Sequence, residues 1–126
     1  MACVIRVSGA KTSLEEFFER SRFKDAVIAP SNLRPWKGAN IEVSTASVGD
    51  LARQVRDAIG FLTTHQAQLK KLRRLRGVKT IVLDFALKRD DALASQTAHL
   101  PARLIALASN VGMGVDVSYY SADGKS

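Results

Sequence analysis

The residue pattern of this chain predicts an α+β fold: a two-layer, ferredoxin-like sandwich whose helices cover one face of a four- or five-stranded, largely antiparallel sheet. Three observations carry that expectation. Segments that alternate apolar and polar residues recur along the chain, among them Ile41-Glu42-Val43-Ser44-Thr45, Val78 to Leu87 and Met113 to Tyr120. Such alternation marks strands buried on one side only. Between them lie stretches with apolar residues three and four apart, the period of a helix with one buried stripe. Finally, 46% of the 126 residues are hydrophobic and 25% charged, enough for a core without disulfides or metal at this length.

Residues 2–8 read as the first strand. Thr12 with Glu15, and Ser13 with Glu16, form overlapping capping boxes before a short helix. Its Leu14, Phe17 and Phe18 share one side, and it stops near Arg20 or Ser21. Ala26 to Ala29 reads as a short strand ended by Pro30, and Ser31 to Asn40, with Pro35, Trp36 and Gly38, as a loop. A strand follows over residues 41–45.

Two consecutive helices are expected next, about 49–59 and 64–76. In the first, Leu51, Val55, Ala58 and Ile59 form the buried stripe and Arg53, Gln54, Arg56 and Asp57 lie opposite. Ser47 or Asp50 caps its start, Gly60 its end, and Thr63 with Gln66 opens the second helix. There Leu69, Leu72 and Leu75 make the buried line, and Gly77 ends it. The longest strand, Val78 to Leu87, turns Ile81, Leu83, Phe85 and Leu87 to the core. After a polar loop at 88–99, Pro101 suits the first turn of a last helix bearing Leu104, Ile105, Leu107, Ala108 and Val111, closed by Gly112. The final strand turns Met113, Val115, Val117 and Tyr119 one way, and Asp116, Ser118 and Tyr120 the other. The expected layout is one domain over 1–121 with a flexible tail over 122–126.

The single cysteine, Cys3, cannot form an internal disulfide and fits a reducing compartment. No secretory leader is visible, because the opening apolar run is short and interrupted by Arg6. No apolar stretch approaches the roughly 20 residues of a membrane span. The expectation is a cytoplasmic protein with no membrane contact.

Three groups of residues resemble a family of small bacterial α+β domains of unknown function. They are Trp36-Lys37-Gly38 leading into Ile41-Glu42-Val43-Ser44; the helical Leu69, Leu72, Leu75 line; and the closing Leu104 to Val111, Gly112 and Val115-Asp116-Val117-Ser118-Tyr119-Tyr120. The basic run at 70–76 departs from that pattern. The resemblance implies a fold and no activity.

The net charge is +7, and it is concentrated. Lys70, Lys71, Arg73, Arg74, Arg76 and Lys79 fall within ten residues. On a helix, Lys70 and Arg74 point away from the leucine line while Lys71 and Arg73 flank it, so the charges wrap around the axis instead of forming one stripe. This is either a solvated helix end, whose cations suit the terminal dipole, or a surface for an acidic partner. A second candidate is the irregular stretch 30–38, where Trp36 stands between Arg34 and Lys37: a contact anchor or a cap on the core.

The outer face of the sheet should carry Arg6, Glu42, Ser44, Asp84, Asp116, Ser118 and Tyr120. RNA-recognition sheets of similar layout stack bases on aromatics, and three carboxylates with one tyrosine have the wrong sign for that. A divalent cation on Glu42, Asp84 and Asp116 would require them to converge. Cys3 reads as an inert packed thiol, and His65 and His99 lack the spacing of metal ligands or of a catalytic partner. No glycine-rich phosphate loop is present, and no cofactor is expected.

The lead expectation is therefore a non-catalytic protein-interaction module, immunity- or regulator-like, that presents Arg34, Trp36 and Lys37 with the basic helix end to an acidic protein or to a second copy of itself. The alternative is sequence-independent nucleic-acid binding through Lys70, Lys71, Arg73, Arg74 and Arg76. A metal-dependent enzyme using the sheet carboxylates is the weaker third reading.

Overall fold

The computed structural model describes residues 2–21, 28–30 and 38–121. Along the chain lie β1 (Cys3–Gly9), α1 (Lys11–Arg20), β2 (Ile28–Pro30), β3 (Gly38–Ser44), α2 (Leu51–Arg74), β4 (Val78–Lys88), α3 (Ala102–Val111) and β5 (Gly114–Tyr120). The five strands make one sheet in the order β2-β3-β1-β4-β5. β1 is antiparallel to both β3 and β4, β2 is antiparallel to β3, and β4 and β5 are parallel.

The α+β class is as expected, but the sheet is mixed rather than largely antiparallel. Its first four strands contain two split β-α-β units, and β5 is added beside β4. β1-α1-β2 is split by β3 and β3-α2-β4 by β1, whereas β4 and β5 are direct neighbours joined through α3. Alternation of apolar and polar residues reports how many faces are covered and says nothing of strand direction. The crossovers through α2 and α3 step the same way across the sheet, and such connections are right-handed. α2 and α3 therefore fall on one face.

One core results. Leu14 of α1, Val55, Ala58, Leu62, Leu69 and Leu72 of α2, and Leu104, Ala108 and Val111 of α3 meet alternate residues of three strands: Cys3, Ile5 and Val7; Ile41; and Ile81, Leu83 and Phe85. Of the inward set expected for β4, Ile81, Leu83 and Phe85 join this core, and Leu87 is buried beyond it. Phe17 and Phe18 pack against this core edge to face, with ring centroids 5.6 Å apart.

Local signals fared unevenly. α1 begins one residue before Thr12, and its N-cap, Ala10, has no side-chain cap, so neither capping box is used. Instead the Ala10 N–H donates to the Gly77 carbonyl. α2 runs straight through Gly60, which is no terminus, and breaks its helical geometry only at His65 (φ −107°, ψ 18°). Thr63 does not open a new helix; its hydroxyl donates back to the Ile59 carbonyl at 2.7 Å. The packing of Leu51 to Leu62 against one sheet offsets the propensity cost of a single exposed glycine, about 1 kcal/mol. Asp50 does cap α2, accepting from the Arg53 N–H. Pro101 and Gly112 bracket α3 as expected, with Gly112 left-handed (φ 84°) and donating to the Ala108 and Ser109 carbonyls.

β3 begins at Gly38, inside the stretch expected as loop, because Gly38 lies so close to β1 that a Cβ there would fall on the Val7 carbonyl. At its other end the ladder slips by one residue: Cys3 pairs with Ser44 but Val4 pairs with Glu42. The extra residue, Val43, reverses the facing of the strand's last position. Ser44, expected outside, turns inward. The expected tail over 122–126 lies outside the described residues.

Candidate functional site

The basic end is built from the inside. Leu69 and Leu72, both fully buried, fix the inward side of the last turns of α2. Lys71, Arg73, Arg74, Arg76 and Lys79 are exposed, and Lys70 partly so. Gly77 (φ 95°) reverses the chain into β4 and, through its bond from Ala10, brings the start of α1 to the same end of the molecule. Arg73 Nε donates to the Gly112 carbonyl at 3.0 Å, tying this end to α3. Among the described residues, the ion pairs are Arg6–Asp84, Lys11–Glu15, Arg53–Asp57 and Arg89–Asp91. None involves the six cations of 70–79. Arg34, Trp36 and Lys37 lie outside the described residues.

The outer face of the sheet differs from expectation at its centre. Asp84 is 5% exposed, not an ordinary surface acid. Arg6 grips one carboxylate oxygen with Nε at 2.9 Å and a terminal nitrogen at 2.8 Å, and the Ser118 hydroxyl donates to the other at 2.7 Å. The three carboxylates do not converge. Register places Val4 between Glu42 and Asp84, two strand spacings apart or roughly 9.5 Å, while the oxygens of Asp84 are already occupied. No group of three or more His, Cys, Asp or Glu side chains suited to a metal ion occurs among the described residues.

Beside β3, a cavity of about 230 Å³ is lined by Glu42, Ser44, Asp57, Phe61 and His65 together with Val43 and Thr45. Its composition suggests hydrolytic chemistry, but its hydrogen bonds do not. The Ser44 hydroxyl donates to Asp57 at 2.7 Å and accepts from the Ala46 N–H at 3.1 Å, so it closes a turn and presents no histidine-activated nucleophile. His65 stacks on Phe61, ring centroids 4.5 Å apart, at the break in α2. Cys3 is fully buried. Burial above all, then the negative charges of Asp84 and Asp57, push its thiol up from an ordinary 9.0 to about 12, so it stays protonated and unreactive.

Two glutamines escape detection by pattern alone. Gln54, expected to face water, is fully buried and binds the backbone of β4 through both ends of its amide. The signal was present: positions 51, 54, 55, 58 and 62 keep helical spacing, and a glutamine within such a stripe is a buried amide seeking a partner. Gln96 acts likewise on the loop after β4, donating to the Lys88 carbonyl at 2.7 Å and accepting from the Asp90 N–H at 3.1 Å. That loop and Gly49 border a cavity of about 470 Å³ at the far end of β4, open to solvent beside Lys88, Arg89 and Leu93. The Arg89–Asp91 ion pair of that loop is exposed. No described helix is long and apolar enough to cross a membrane. No protein-family model, curated protein or solved structure matches the chain.

Proposed function

We propose that this protein is a non-catalytic interaction module that docks an acidic partner protein on the basic end formed by the last turns of α2 and the turn into β4. One observation carries the reading: six cations within ten residues, standing on a rigid base of buried leucines, have no carboxylate partner among the described residues. Charge of one sign concentrated on one surface attracts and orients a partner of opposite sign.

The arrangement favours an acidic protein over a nucleic acid. By helical spacing the side chains spread around the axis of α2 and do not line one side of it. Single-stranded nucleic acid is held by aromatic stacking beside the cations, and no aromatic residue occurs between Leu69 and Asp84. The non-catalytic part of the reading rests on committed side chains: the Ser44 hydroxyl, the Asp84 carboxylate and the Cys3 thiol are all held in structural contacts. The resemblance to small bacterial domains of unknown function fits an immunity- or regulator-like role in the cytoplasm, where masking another protein needs a surface and no chemistry.

The test compares a fluorescent polyglutamate peptide with random DNA and RNA of similar length, by anisotropy at two salt concentrations. The expected result is peptide binding that disappears in Lys70→Glu/Arg74→Glu, with nucleic acid binding more weakly. Tighter nucleic-acid binding that falls steeply with salt would replace this reading by the nucleic-acid one. Binding of neither probe at low salt would end both.

A further inference from the structure

The two edges of the sheet are protected very differently. β2, at one side, offers three residues and ends in Pro30. β5, at the other, offers seven residues with no proline, no lysine and no register shift against β4. Those are the devices by which proteins blunt a free edge, and β5 lacks them.

The hydrogen-bonding groups that β5 leaves unpaired among the described residues can be identified. The Arg89 N–H donates to the Tyr120 carbonyl at 2.7 Å, so Tyr120 turns its peptide groups toward β4. Peptide groups alternate sides along a strand. Those of Ser118 and Asp116 therefore also face β4, while the N–H and C=O of Val115, Val117 and Tyr119 face outward.

We propose that two copies of this chain associate through β5, paired antiparallel about a two-fold axis at Val117, so that two five-stranded sheets become one continuous sheet. In this register Val117 opposes Val117 of the second copy, and Val115 opposes Tyr119 of the second copy. Every outward N–H and C=O of these three residues then has a partner. Tyr119 and Val115 form an aromatic–β-branched pair on the helix side, and Asp116 faces a serine on the other.

Neighbouring registers are worse. Centring on Asp116 sets that carboxylate against its own copy. Centring on Ser118 pushes the groups of Val115 past the end of the strand.

Charge and exposure agree. In a chain of net charge +7, α3 and β5 together carry only Arg103 and Asp116, which cancel. Of three exposed large apolar side chains among the described residues, Ile105 (43%) and Tyr119 (46%) belong to these two elements. This isologous contact uses a different surface from the basic end, and the two readings stand or fall separately.

The mass of the purified protein in solution should rise from monomer to dimer with concentration, measured by sedimentation equilibrium. Val117→Cys, oxidised mildly, should give a reducible dimer, because directly opposed hydrogen-bonded residues have Cα atoms about 5.5 Å apart, within disulfide range. Buried Cys3 does not compete. Val117→Pro removes the central outward donor without touching a bond to β4 and should be monomeric with an unchanged far-ultraviolet circular dichroism spectrum. Tyr119→Lys provides the same readout if the proline variant does not fold. A wild-type protein that stays monomeric, or a dimer that neither cross-links at position 117 nor dissociates in these variants, overturns the proposal.

Discussion

The side-chain amide of Gln54 occupies the place of a missing strand beside Ala86. Its Nε2 donates to the Ala86 carbonyl at 2.8 Å and its Oε1 accepts from the Ala86 N–H at 3.0 Å. β1 pairs with β4 only as far as Phe85, opposite Cys3, so without this amide the next peptide on that side would be left without its partner. The Gly49 N–H adds a second donor to the same carbonyl at 3.0 Å.

Gln54→Leu, which keeps the volume, should therefore cost about 1–3 kcal/mol by orphaning the Ala86 N–H. Gln54→Glu should cost more, since a carboxylate would face the Ala86 carbonyl. Urea denaturation measures both, and a change within about 0.5 kcal/mol, the range of ordinary surface substitutions, would show that the clasp contributes nothing.

A second test concerns Arg6 and Asp84. Arg6→Ala leaves a buried carboxylate held only by Ser118, whereas removing both charges in Arg6→Ala/Asp84→Leu leaves none. The double variant should be more stable than Arg6→Ala alone. Because the Arg6 side chain is 49% exposed and screened by solvent, the coupling in a double-mutant cycle should be about 1 kcal/mol, below that of a fully buried pair. Strict additivity would contradict the pairing.

Cys3 predicts a pH effect of known sign. Its folded pKa, about 12, lies above its ordinary 9.0, so the folded state favours the neutral thiol. The stability this contributes is fully present below pH 9.0 and is lost as pH rises toward 12. Cys3→Ala should flatten that part of the stability profile. At pH 8 a disulfide reagent should label native protein only at the rate of unfolding, and fast labelling would show the thiol to be accessible.

Three glycines should respond in different directions. Gly38→Ala meets the Val7 carbonyl head-on and should cost about 3 kcal/mol or more, or prevent folding. Gly112→Ala keeps its space but strains a left-handed cap, costing about 1–2 kcal/mol. Gly60→Ala, in mid-helix with nothing within 4 Å of the added carbon, should stabilise by about 0.5–1 kcal/mol. Thermal denaturation orders the series, and a destabilising Gly60→Ala would refute its place inside α2.

These cases show what the residue pattern discloses. The inward residues of β4, the Leu69–Leu72 line and the caps of α3 were legible because burial period and local backbone preference are properties of adjacent residues. The parallel pairing of β5, the inward turn of Ser44 and the Gln54 clasp were not. Each depends on a partner far along the chain: Ala86 is 32 residues from Gln54, and the slip that turns Ser44 arises opposite Cys3. The basic run was visible as a count, but its lack of ion pairs among the described residues is a fact of three dimensions.

The length of β4 has its own consequence. Lys79 and Lys88 stand near opposite ends of this strand, roughly 30 Å apart at ~3.3 Å per residue. In physiological saline a field decays within about 8 Å. Charge neutralised at one pole is not sensed through the solvent by Lys88 and Arg89 at the other. Any coupling between the poles passes through the protein itself, along β4 or α2, both of which join them.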